Sequence, residues 1–375
     1  MKILKRQNLA SVQMSAIVPC VGYRTMALRT GYESVIAARL NEMYAINAEK
    51  EGEIIKLTDK ILKVKYKDGE TKGWRIGRIH GKADGETIPH DIVTDLAKGY
   101  QFGPGEVLAW NVAWFERDLF SKTNVSMKTG AVARTVLLEN NDTLEDGSRI
   151  GPRLKEKLTT RITKQKAIHL EVDQIIEDLV NIGDELVYDS VVCKIRNPVS
   201  SNLEETDASL LALAKLSDQN PKSKFAGTVT SIEVYYNAEL EDMSDSIKAI
   251  AEADNARRKA LKRDLGGKVA ETGQIKRASF VGGDKLVPGK IAILINIDAP
   301  LAQGIGDKAV FGNQLKTIHG GELIGENYSE DGQIIDAFFG YRSVNDRIVN
   351  SPVFQGTINS TMSQVTKNFF EILGD

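Results

Sequence analysis

Short apolar runs broken by glycine and charged residues dominate the chain, and helical periodicity is confined to three stretches. The clearest run, IAILINIDA at 291–299, is short and apolar enough to predict a buried strand. Earlier, VIAA at 35–38, IIKL at 54–57 and ILKVKY at 61–66 predict strands, and KDGE at 67–70 is a hairpin turn signal. The region through about residue 115 therefore reads as small β-rich structure, with loops at 81–85 and 103–105. A buried strand is predicted at 132–138, and further strands at 167–172, 186–195 and 225–236, the last rich in β-branched and aromatic residues. Helices are expected at 203–216 and at 245–264, which is charged, alanine-rich and free of proline. The apolar stripe of the second helix (Ile247, Ile250, Ala251, Leu261) is thin, so most of it should face solvent or a partner. A turn at Asp331 opens onto an apolar strand ending near Phe339. Residues 358–373 set Met362, Val365, Phe369 and Leu373 on one helical face, which should pack on this chain or a neighbour.

Composition changes this picture little. A chain of 375 residues suggests roughly two to three domains. Hydrophobic residues at 42% and charged residues at 27% are those of an ordinary globular protein. No apolar run approaches the ~20 residues that cross a bilayer, and the first ten residues lack the apolar core of a secretory signal. Cys20 and Cys193 form neither a metal-ligand spacing nor a disulfide framework. His80, His90, His169 and His319 show no metal-binding spacing and read as polar loop or core residues. The net charge of −2 does not announce a nucleic-acid binder, but charge is unevenly spread. Residues 1–30 carry Lys2, Lys5, Arg6, Arg24 and Arg29 with no acid; 153–166 is basic; 236–254 is acidic. Local fields of this kind decide where a polyanion approaches, although basic runs also serve simply as solvated surface.

The candidate chemistry centres on GIGDKAVFGNQLK at 304–316, read as a glycine-broken loop displaying Lys308 and Lys316 eight residues apart. Two ammonium groups so displayed suit a polyanion with two phosphates to grip. The stretch resembles the GDK…K loop near the end of the β subunit of cellular multisubunit RNA polymerases. There the two lysines keep this spacing and sit in a double-psi β-barrel. The family usually places Arg-His-Gly-Asn before the second lysine; here those positions are Gly312, Asn313, Gln314 and Leu315.

Other phrases follow in the family's order. Pro19 and Val21-Gly22 resemble the region after its nucleotide-facing loop, and Arg6 falls on an arginine that faces the incoming triphosphate. A flexible basic N-terminus accounts for Arg6 equally well. The turn and strand GPGEVLA at 103–109 resembles the family's GDVLA phrase. Leu144-Glu145-Asp146 keeps the apolar–acid–acid order of a phrase whose acidic pair lies beside the catalytic magnesium. An aspartate turning the chain before Gly147 explains the same residues. If functional, these carboxylates would hold metal-bound water or a neighbouring basic group, since magnesium needs only one or two carboxylates. Arg347 takes the place of the family's triphosphate-contacting arginine, with Arg342 close enough to compete.

The resemblance implies a mixed α+β, β-rich fold: a double-psi β-barrel core with an inserted flap-like domain. The expected division is 1–115, a β-rich part of the barrel region; 116–164, a barrel strand and acidic loop; 165–285, the flap-like insertion; 286–357, barrel with the two-lysine and arginine loops; and 358–375, a C-terminal helix. The family's long N-terminal lobes and clamp-anchoring C-terminus are missing, and its NADFDGD magnesium loop belongs to another subunit. The chain thus resembles the C-terminal portion of a β subunit split across genes, as in giant tailed bacteriophages. This implies a subunit inactive alone, with Mg²⁺ held mainly by a β′-like partner. Its further partners would be a separate N-terminal β-like chain, DNA template, RNA product, nucleoside triphosphates and a promoter-specificity factor at the flap. It would act in the infected host's cytoplasm or be packaged in the virion. A noncatalytic barrel-fold structural or adaptor protein is the alternative. A self-contained phosphotransferase would need a nucleotide loop, and no G-x-x-x-x-G-K-[S/T] is present.

Overall fold

A computed structural model describes the chain apart from residues 1, 12–13, 27, 84–85, 119, 142, 198–217, 267–268, 313–314, 348–349 and 374–375, and apart from the side chains of 2–11, 14–17, 82–83 and 86. The fold is β-rich and mixed α+β, with two large sheets of nine and eight strands among the described residues. No described helix is long and apolar enough to cross a membrane.

The eight-stranded sheet is built on the apolar run. Lys290–Leu301 is buried from Ile291 through Asp298 and pairs antiparallel with Thr160–Glu171 along twelve residues. Gly227–Tyr236 pairs on its other side. Ile291, Ile293, Ile295 and Ile297 face a core shared with Val234 and with Ile247 and Ala251 of the helix Asp245–Leu265. Only four of its 21 residues are buried, in keeping with its thin apolar stripe, yet it is fastened to the sheet. Its buried Asp254 and Asn255 bind the sheet by hydrogen bonds: Val234 N–H donates to Asp254 Oδ2 at 3.0 Å, and Asn255 Nδ2 to the Tyr236 hydroxyl at 2.8 Å. Its far end reaches back to the sheet around Gly52–Leu57 through Lys56 and Asp264, 2.8 Å apart. Polar anchoring of this kind is invisible to a count of apolar positions.

The nine-stranded sheet runs in the order Thr135–Leu137, Ala337–Phe339, Gly147–Ile150, Leu315–Glu322, Lys308–Phe311, Lys2–Ser11, Gly130–Ala133 and Tyr23–Arg24, with Met14–Ile17 paired on Lys2–Ser11. Gly130–Ala133 and Thr135–Leu137 stand near opposite ends of this path, yet Arg134 alone separates them in the chain. Consecutive Cα atoms lie about 3.8 Å apart, so the sheet must curl until its ends approach. Its inner face is one core drawn from strands around the path: Ala131, Ala133, Ile150, Phe311, Leu315 and Phe339, each at most 1% exposed. Asp336, itself buried, fixes the junction. It accepts the Arg134 N–H at 2.7 Å and a forked pair from Arg153 at 2.7 Å on each oxygen.

Several local expectations change. The 132–138 run is split at Arg134, whose backbone turns to Asp336 instead of continuing one ladder. Residues 36–39 form a 3-10 turn, not a strand; Ala37 is wholly buried there and its carbonyl accepts from Asn47. Gly81 lies within the strand Gly77–Ala83, where a side chain would strike His90. The 186–195 run keeps only Glu185–Leu186 and Lys194–Arg196, interrupted by Asp189 with φ of 67°. The 304–316 loop is largely a hairpin, and the C-terminal helix starts earlier, at Ser351. The helix expected at 203–216 lies outside the described residues.

Candidate anion-binding hairpin

The turn before Lys308 is set by its own sequence. Gly306 adopts φ of 90°, a region closed to most side chains. Asp307 closes the turn: its Oδ2 accepts the Gly304 N–H at 2.9 Å, and its carbonyl accepts the His319 N–H at 3.0 Å. Lys308–Phe311 then pairs with Leu315–Glu322, matching Lys308 with Ile318, Ala309 with Thr317, Val310 with Lys316 and Phe311 with Leu315. Side chains alternate across a strand, so Lys308, Val310, Lys316 and Ile318 share one face. Ala309, Phe311, Leu315 and Thr317 are buried on the opposite face; on the lysine face Lys316 and Ile318 are exposed and Lys308 is half-buried, while Val310 between them is covered. The lysines are diagonal neighbours, about 7–8 Å apart in such a ladder. Hairpin closure turns the eight-residue spacing into proximity.

Beneath the lysines lies a buried polar scaffold. Thr317 Oγ1 is 2.7 Å from both the Asp146 carbonyl oxygen and Ser148 Oγ, and Ser148 Oγ is 2.8 Å from His319 Nδ1. All three side chains are at most 1% exposed, so this serine and histidine hold strands together and do not meet a substrate. Sequence reading left His319 as a core or loop residue and missed the scaffold, because its members come from two strands that pair in parallel.

The acidic phrase and the arginine phrase meet at this hairpin. Asp146 accepts the Ile318 N–H at 3.0 Å on its carbonyl, which seats it beside the residue opposite Lys308. Its carboxylate binds Arg347 Nη2 at 2.5 and 2.7 Å. Both partners are partly exposed, which leaves the guanidinium room for a further anion. Glu145 precedes it with φ of 53° and is exposed. Arg342 lies on the short helix Tyr341–Asn345 and is exposed; its backbone N–H donates to Glu139. Arg347, not Arg342, is the arginine tied to the hairpin through Asp146. Arg6 is opposite Ala309 in the pairing of Lys2–Ser11 with Lys308–Phe311, and its side chain lies outside the described residues.

Among the described residues no three His, Cys, Asp or Glu side chains group to hold a metal. Asp146 is already engaged by a guanidinium, and Glu145 beside it does not complete a cage. These carboxylates do not fit an inner-sphere magnesium site built by this chain alone. What the hairpin offers is two ammonium groups on one face, with the Arg347–Asp146 ion pair joined to it through the Asp146 carbonyl. No model of a known protein family matches the chain, and no curated protein matches it in sequence.

Proposed function

We propose that this chain is the C-terminal part of a split β-like subunit of a multisubunit DNA-directed RNA polymerase of the giant-phage type. Its lysine hairpin supplies fixed cations to a nucleotidyl-transfer site whose metal belongs to a β′-like partner. One observation carries the reading: Lys308 and Lys316 share one face of a hairpin to which Asp146 and Arg347 are tied. The curled nine-stranded sheet, in which Arg134 joins strands near its two ends, supports a double-psi barrel. The stretch carried between Thr160–Glu171 and Lys290–Leu301 supports a flap-like insertion.

Magnesium, when bound by the partner, would polarise phosphate oxygens and lower the barrier to in-line attack. This chain's own residues bind and orient. Lys308 and Lys316 hold phosphates flanking the reacting centre, at the RNA 3′ end and the incoming nucleotide. Arg347 grips the outer phosphates of the triphosphate, a role its planar fork suits better than an ammonium. Catalysis of this kind rests on preplaced charge. The test is reconstitution with the partner chains. Lys316→Ala should slow nucleotide addition about 10²–10³-fold, the usual loss for one donor in a desolvated site. Elongation at the unmodified rate would overturn the role.

A further inference from the structure

The helix Ser351–Leu373 leaves the hairpin and carries a bare apolar seam. Its root is packed: the Leu28 N–H donates to buried Asn359 at 3.1 Å, and a side chain added at Gly312 would touch Pro352. Beyond the root, Ile358, Met362, Val365, Phe369 and Ile372 repeat at spacings of four and three residues and are 43–83% exposed. This spacing is that of a helix that packs against another helix. At the root a cavity of about 670 Å³ opens, lined by Leu28, Tyr32, Trp114, Met127, Phe354 and Ile358 among others. Toward the helix's C-terminal end stand Phe369 and Phe370, each 56% exposed.

We infer that this seam is a self-complementary interface, on which a second copy of the chain lies antiparallel. In that arrangement Ile358 meets the second copy's Phe369, and Met362 meets its Val365. The two-fold axis then falls between Ser363 and Gln364. The four layers from Ile358 to Phe369 each find an apolar layer, Ile372 falls opposite Gln355, and the aromatic end of each helix reaches the cavity at the root of the other. A parallel pairing sets each helix's aromatic end away from the other's root and leaves both cavities without it.

Charge permits the pairing. The residues flanking the seam include Thr361, Thr366 and Asn368, which are uncharged, and Lys367 faces Glu371 on its own helix at 3.5 Å. A second copy therefore meets no like charge. The same lack of a basic face argues against an anionic membrane surface as occupant. Area permits it too. With aromatic side chains of roughly 150–250 Å² each, the exposed apolar groups from Phe354 to Leu373 offer on the order of 800 Å² per copy, what a standard interface buries on each side.

The inference does not depend on the polymerase reading, and its test involves no catalysis. Sedimentation velocity of the full chain across roughly 1–100 µM should show a concentration-dependent dimer. Met362→Glu with Val365→Glu, both at exposed positions, should weaken association by at least about tenfold while leaving the circular dichroism spectrum unchanged. The double variant Met362→Cys, Val365→Cys should form a disulfide-linked dimer on mild oxidation, while Met362→Cys alone should not, since only parallel helices bring that position to itself. A monomer throughout the range, a dimer indifferent to the glutamates, or crosslinking by Met362→Cys alone overturns the proposal. So does a chain that remains monomeric yet pellets with phosphatidylglycerol vesicles or seats another protein's helix on the seam.

Discussion

Replacing Asp146 by asparagine isolates what the acidic phrase does. The substitution keeps the side chain's size and the backbone carbonyl that accepts from Ile318 at 3.0 Å, and removes only the charge facing Arg347. The two side chains are 37% and 48% exposed, so water screens the pair strongly. An ion pair this open contributes no more than about 1 kcal/mol to folding. The melting temperature of Asp146→Asn should therefore fall by about 4 °C at most. If the proposed function holds, nucleotide binding in the reconstituted assembly should respond more. Freed from its partner, the Arg347 guanidinium must be reordered each time a triphosphate binds, and a loss of about 1.4 kcal/mol raises KM roughly tenfold. The decisive assay is a double-mutant cycle with Arg347→Ala, read as kcat/KM for nucleotide addition. If Asp146 acts through Arg347, the double variant should be no worse than Arg347→Ala alone, because coupled residues do not add. Losses that multiply would refute the argument, as would a large fall in melting temperature for Asp146→Asn.

Further outcomes test the core of the eight-stranded sheet. Asp254→Ala should destabilise the chain by about 3–5 kcal/mol in urea, because it strands Arg257 and Arg258 beside a bare Val234 N–H; a loss under about 1 kcal/mol would mean that the helix Asp245–Leu265 is not anchored by this carboxylate. Burial pushes the Cys193 thiol up to about 11, so the native protein should leave it unmodified by a thiol reagent at neutral pH, where the unfolded chain reacts. Because the folded value lies above the ordinary one of 9.0, this group's contribution to stability is present below pH 9 and fades as pH rises toward 11. A Cys193→Ala variant with the same alkaline loss would place the cause elsewhere.

Local runs told most where one physical signal dominated. Ile61–Tyr66 alternates and is followed by Gly69 with φ of 93°, and both the strand and the turn stand where the pattern puts them. The lysine pair was legible as chemistry but not as geometry. Its glycines suggested an open loop, whereas Ala309, Phe311, Leu315 and Thr317 pack inward and hold a ladder. The run at 132–138 misled because its apolar residues belong to two strands, and the break is caused by Asp336, about two hundred residues away in sequence. Arg342 and Arg347 cannot be ranked from spacing. Only the position of Asp146 beside Ile318 separates them.

By itself the sequence determined the β-rich character, the strand Lys290–Leu301, the charged helix and the presence of two closely spaced lysines, since each depends on neighbours within a few residues. The tertiary structure alone decided that the lysines share a face, that Asp146 joins Arg347 to them, that the nine-stranded sheet curls through Arg134, and that the last helix leaves its seam uncovered. Those features depend on pairing register and on contacts between residues far apart in the chain. A one-residue slip of the hairpin would turn every one of its side chains to the other face, and no local pattern records which register wins.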